Sequence, residues 1–180
     1  HAPRREQSTK MLIDAFLPEG ITQLAVDSIF MMPQLGGLAN VTDADFSDEA
    51  KKAALEVFQK DCLIRLGTCI APVGSAKDGE VVIEAEFTLS DGSVLNKTLL
   101  KNELTRIEVP YEPVTAKITP SKKMDIGSGD GQELTSTIYG GEVGIILDGR
   151  NRPIEIPSDQ GLRLDLLKKW SNAINEYPKV

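Results

Sequence analysis

The stretch "EVVIEAEFTLSDGSVLNKTLL", residues 80–100, alternates too regularly for a helix. Val81, Ile83, Ala85, Phe87 and Leu89 fall on one side of an extended chain, while Glu84, Glu86 and Thr88 fall on the other. A period of two marks a strand with one face in a core and one in water. Asp91-Gly92 stands where the chain must reverse, and this dipeptide readily takes the positive φ angles of a tight hairpin. One-sided alternation of this kind predicts an antiparallel sheet with a solvated face.

Downstream, short strands follow with turn residues between them. "LTRIEVPY" precedes "PVTAKITP", with Val114, Ala116 and Ile118 on one face; "ELTSTIYG" leads into "EVGIILDG" and then "RPIEIP". Closely spaced strands of this kind predict a small antiparallel barrel or a two-layer sandwich. Upstream, residues 1–62 read as helical. "TKMLIDAF" is a short amphipathic run stopped by Pro18-Glu19-Gly20, and Ile21, Leu24, Ala25, Ile29 and Met32 then recur at helical spacing until Pro33. "QLGGLANVTDAD" reads as a connector, and Ser47 caps a helix whose stripe is Ala50, Ala54, Val57 and Phe58. After Ser158, read as an N-cap, Leu162, Leu166, Leu167, Trp170, Ile174 and Tyr177 share a face until Pro178, with Trp170 as the anchor on the sheet. The expected class is α+β: a helical segment at 1–62, a β-rich domain at 63–157 and a C-terminal helix at 158–180.

Composition narrows the function classes. With 180 residues, 41% hydrophobic and 26% charged, the chain has ordinary globular make-up and can bury a sizeable core. A net charge of −7 speaks against a nucleic-acid binder, which needs clustered Lys and Arg. No apolar run approaches the ~20 residues of a membrane span, and "HAPRREQSTK" has no apolar signal core behind it. The expected location is the cytoplasm. The chain starts without Met and is read as a piece of a longer protein, with His1 a remnant of its excision. Cys62 and Cys69 are expected as buried free thiols, and no metal site is expected, since the sole histidine is terminal.

Two stretches look like ligand loops. "DIGSGDGQE", residues 125–133, places Gly127, Gly129 and Gly131 in a run, but a P-loop also needs Lys-Ser/Thr and a following helix, and here a strand follows. "GGEVGIILDGRNRPIEIP", residues 140–157, reads as a turn into a strand, with Asp148-Gly149 a hairpin-type dipeptide. Asp148, Arg150 and Arg152 are close enough for an ion pair or an anion-binding corner, the arginines gripping a carboxylate or phosphate. "SKKMD" at 121–125 lacks the symmetric setting of a biotinyl or lipoyl lysine. The chain has no G-x-S-x-G or H-E-x-x-H segment, and Glu84 and Glu86 read as solvated.

Taken together, "PEGITQLAVDSIFMMPQLGGLA" (18–39), "LGTCIAPVG" (66–74), "DGEVV" (78–82) and the 140–157 stretch resemble the C-terminal region of the MutL or GlmL family, the glutamate mutase accessory proteins. The resemblance covers most of the chain and follows the order of the family's segments; Gly149 and Asn151 depart from its commoner pattern between the charges. It implies a parent protein with an actin/Hsp70-like ATPase fold that serves adenosylcobalamin-dependent mutases as a chaperone or reactivating factor. Such a fold carries its acidic-glycine-threonine phosphate loop near its start, and no D-x-G-x-T segment occurs here. ATP therefore belongs to the full-length parent, with no cofactor expected in this piece. The expected partner is a cobalamin-dependent mutase or the parent's N-terminal domain, and no nucleic acid or membrane. A small hydrolase or lyase whose carboxylates converge in space is the alternative.

Overall fold

The computed structural model describes residues 2–42, 46–150 and 152–177. His1, the connector residues 43–45, Asn151 and the expected helix stop at Pro178 lie outside the described residues. Contacts group the chain into two units, residues 1–24 with 66–180, and residues 25–65. This grouping differs from a helical 1–62 segment followed by a β domain, because the first 24 residues belong with the sheets.

The larger unit is built from α1 (Arg5–Phe16), β1 (Gly20–Asp27), β2 (Leu63–Ala71), β3 (Val73–Gly74), β4 (Val81–Thr88), β5 (Val94–Leu100), β6 (Leu104–Ile107), β7 (Pro113–Pro120), β8 (Met124–Asp125), β9 (Leu134–Tyr139), β10 (Gly144–Asp148) and α4 (Gln160–Ala173), with β1 and β2 running on into the smaller unit. One sheet has the order β5-β4-β7-β9 and is antiparallel throughout. A second has the order β1-β2-β10-β6, with β2 and β10 parallel and β10 and β6 antiparallel. The sandwich is thus realised, and no barrel closes among the described strands.

The 80–100 stretch behaves as its alternation predicts. Ile83, Ala85 and Phe87 enter a core shared with Val114, Ala116 and Ile118 of β7 and Ile70, Ile145 and Leu147 of the second sheet. Each of the larger side chains among these contributes about 1.5–3 kcal/mol when taken from water. The turn closes through Gly92 at φ 82°, with the Ser93 amide donating to Asp91 at 2.8 Å. One expectation fails: a bulge between Val81 and Ile83 shifts the register, so Val82 is buried and Val81 is 40% exposed.

Residues 20–27 form a strand, correcting the helical reading. Leu17 (φ 47°) ends α1 in the left-handed region, Pro18 denies the chain a donor, and Gly20 (φ 66°) re-aims it into the edge of the mixed sheet. The β-branched Ile21, Thr22 and Val26 suit that strand, and the spacing of 21, 24, 25, 29 and 32 was coincidental. Pro33 starts a helix where it was expected to stop one. It stands at the beginning of α2 (Met32–Ala39), where a missing N–H costs nothing, so "QLGGLA" is helical. In the smaller unit α3 (Asp48–Val57) is capped by Ser47 as expected, its hydroxyl accepting from the Ala50 amide at 3.3 Å. A wider turn, Phe58–Cys62, then leads into β2.

"RPIEIP" is not a strand. β10 already has β2 on one side and β6 on the other, so no edge remains for a hairpin partner after Asp148-Gly149. The cap of α4 is Asp159, one residue beyond Ser158, accepting from the Leu162 amide at 2.9 Å. Trp170 and Ile174 are fully buried, while Leu162 and Tyr177 point outward from the expected apolar face. Trp170 anchors α4 beside β6, its indole N–H donating to the Asn102 carbonyl at 3.0 Å. Both thiols are free and buried, and burial pushes the Cys69 thiol pKa well up.

Candidate functional site

Asp148 ends the central strand β10 and is completely buried. A carboxylate in such a place must be paired, and the chain supplies two arginines within four residues. Arg150 binds it in fork geometry, Nε to Oδ1 and Nη2 to Oδ2, both at 2.8 Å, and the Arg150 amide adds a third bond at 3.1 Å. Arg152 Nη2 reaches Oδ2 at 2.9 Å. The second arm of Arg150 crosses to Asp14 of α1 at 2.7 Å, and Lys10 pairs with Asp14 in turn. Arg152 Nε donates to the Pro18 carbonyl at 3.1 Å. The Arg150 guanidinium also lies 5.0 Å from the Trp170 ring centroid.

The sequence-selected trio therefore does converge, and it is spent on itself. Burial opposes the charge of Asp148, but the hydrogen bonds and charge of Arg150, and then of Arg152, hold its carboxyl below the usual range. Burial likewise opposes the charge of Arg150, and Asp148 and Asp14 outweigh it. The result is an ionic knot tying α1, the end of β10 and α4 together. Gripping a phosphate or carboxylate with these arginines requires breaking bonds that hold the fold. Sequence reading missed Asp14, whose place in the knot is set only by the docking of α1.

The glycines at the start of β10 and facing it on β2 serve close backbone approach. Gly67 of β2 pairs with Gly144 of β10, and a Cβ on Gly67 would lie 1.7 Å from the Gly144 carbonyl oxygen. Gly140 meets the Pro110 carbonyl at 2.0 Å by the same measure, and Gly141 meets the Leu66 carbonyl carbon at 2.4 Å. "GGEVG" is thus a steric requirement for inserting β10 between β2 and β6.

The second glycine loop is an anion nest already filled from within. Asp125 Oδ1 accepts from the amides of Gly127, Ser128 and Gly129 at 2.7, 3.0 and 2.8 Å. Those bonds, led by Gly127 and Gly129, hold the Asp125 carboxyl below its ordinary pKa. The Gly131 amide donates to the Met124 carbonyl at 2.8 Å. Among the described residues no hydrogen bond or ion pair joins this loop to the Asp148 knot, so the structure does not unite the two candidate sites.

A third feature, absent from the sequence reading, lies in the 25–65 unit. Asp27 closes a turn by accepting from the Ile29 amide at 3.2 Å and the Met32 amide at 2.7 Å. The turn holds Phe30 at φ 58°, a left-handed conformation that a bulky side chain seldom adopts. Ile29, Phe30 and Met32 are each more than half exposed. The signal available in the sequence was Asp27 standing just before "SIFMMP", an Asx-turn placement masked by the apparent helical period.

Among the described residues no group of His, Cys, Asp and Glu could hold a metal ion, and no helix is long and apolar enough to cross a membrane. Among the described residues the carboxyls of Glu6, Asp27, Glu49, Asp91, Asp125 and Asp148 are displaced downward, toward charged and hydrogen-bonded states. Comparison with family models, curated proteins and solved structures finds no match.

Proposed function

We propose that this chain is a non-catalytic protein-interaction module of a cytoplasmic accessory protein that serves an adenosylcobalamin-dependent mutase, with ATP handled in another part of the parent. The class of partner follows from the resemblance of residues 18–39, 66–74, 78–82 and 140–157 to the MutL or GlmL family. The interaction role rests on one observation, the turn after Asp27. A pinned, left-handed turn that holds Ile29, Phe30 and Met32 in water is costly for an isolated fold. The cost is offset when a partner covers those side chains, because burial of large apolar anchors supplies most of the affinity at a typical interface.

The test is calorimetric titration of this chain into purified glutamate mutase and ornithine aminomutase, with Phe30→Ser alongside. Saturable binding to one mutase that Phe30→Ser weakens at least roughly tenfold is expected. Absence of binding to either, or binding indifferent to Phe30, contradicts the proposal.

A further inference from the structure

A cleft of about 600 Å³ lies between the β5–β6 connection and the chain leading into α4. Its floor includes Lys101, and Ile156, Leu162 and Leu166 line its apolar side. Most of the charges around it are already satisfied. Asp78 accepts from Asn102 Nδ2 at 2.6 Å, Lys169 pairs with Glu103 at 3.5 Å, and Glu155 is not free either.

Lys101 differs from these. It is only 5% exposed, yet among the described residues no hydrogen bond or ion pair holds its ammonium. Glu155, Asp78 and Asp148 favour its charge from a distance and Arg152 opposes it, but burial is the largest influence and draws its pKa down. Its stem is buried, while the ammonium, which has no bonded partner, keeps contact with solvent, so its charge is open to an incoming anion. Ile156 and Leu162 are also half or more exposed beside it. The cleft thus offers one uncommitted positive charge and a hydrocarbon wall, the combination typical of small-ligand sites.

We propose that this cleft binds a small aliphatic monocarboxylate, its head received by the Lys101 ammonium and its chain lying on Ile156, Leu162 and Leu166. A singly charged head fits best, since Asp78, Glu103 and Glu155 line the same cleft and repel a second negative charge. The cleft shares no residue with the Phe30 turn, and its test uses neither Phe30 nor a mutase.

The experiment is a ¹H–¹⁵N NMR titration of the full chain with sodium hexanoate, hexylammonium chloride and inorganic phosphate, using wild type, Lys101→Met and Lys169→Met. Hexanoate is expected to give saturable shifts at Leu100–Glu103, Leu162 and Leu166. Its affinity should fall roughly tenfold or more in Lys101→Met and stay within about twofold in Lys169→Met, as expected for loss of one charge-assisted contact. Thermal melting of Lys101→Met without ligand should match that of wild type, and this separates lost binding from lost fold. Lack of saturable hexanoate shifts, equal affinity in Lys101→Met, or tighter binding of phosphate or hexylammonium would overturn the proposal.

Discussion

Replacing Asp148 by Ala leaves two guanidinium groups in the interior without their shared counter-ion. The carboxylate accepts four hydrogen bonds, three from Arg150 and one from Arg152, and has no access to solvent. Removing one partner of a buried ion pair costs about 3–5 kcal/mol, a large share of the roughly 5–15 kcal/mol that holds a domain folded. Arg150→Ala should cost a similar amount, since it leaves the buried Asp148 with Arg152 alone and empties the space against Trp170. While Arg152 stays, the double variant removes one of the two guanidinium groups stranded by Asp148→Ala, and also the carboxylate left short of partners by Arg150→Ala. Its loss should fall short of the sum of the single losses by about 1–3 kcal/mol. Urea unfolding followed by Trp170 fluorescence reads all three values from one transition. A loss below about 1 kcal/mol for Asp148→Ala, or additivity within about 0.5 kcal/mol, would refute the claim that the pair is a closed, structural knot.

Other expectations follow from the same geometry. Gly67→Ala should abolish soluble expression, as its Cβ meets the Gly144 carbonyl at 1.7 Å, whereas Gly36→Ala, with open space around it inside α2, should stabilise the chain by about 1 kcal/mol. Asp148 and Asp125 have carboxyls held below their ordinary pKa in the folded state, so the folded state binds fewer protons than the unfolded one in acid. Their stabilisation is complete above about pH 4–5 and is lost as pH falls through the lowered folded values. A urea midpoint that fails to decline between about pH 4 and 2 would count against this. Asp125→Ala should leave the fold intact while hydrogen exchange at Gly127, Ser128 and Gly129 quickens, because their shared acceptor is gone. Unchanged protection there would show that another group fills the nest.

The sandwich was legible wherever a strand had one wet face, as in Glu84 and Glu86 against Ala85 and Phe87. It was illegible where every residue is buried or where an edge strand lacks alternation. β10 is buried at each position, so its hairpin-like ending could be judged only once β2 and β6 were seen to flank it. Residues 21–32 carry apolar side chains at spacings that fit a helix, and only the pairing of β1 with β2 resolves them into a strand and an Asx turn. The Asp148, Arg150 and Arg152 trio was visible as neighbouring charges. Its sealed state was not, because Asp14 and Trp170 arrive from the two ends of the chain. Lys101 was missed because nothing local distinguishes a buried lysine from a solvated one.

The interaction proposal turns most directly on one measurement, the affinity of a purified adenosylcobalamin-dependent mutase for wild-type chain and for Phe30→Ser. Saturable binding that falls at least roughly tenfold in Phe30→Ser, with an unchanged melting temperature, is the expected result. Absence of binding, or equal affinity for both proteins, would contradict a docking role for the Asp27-pinned turn.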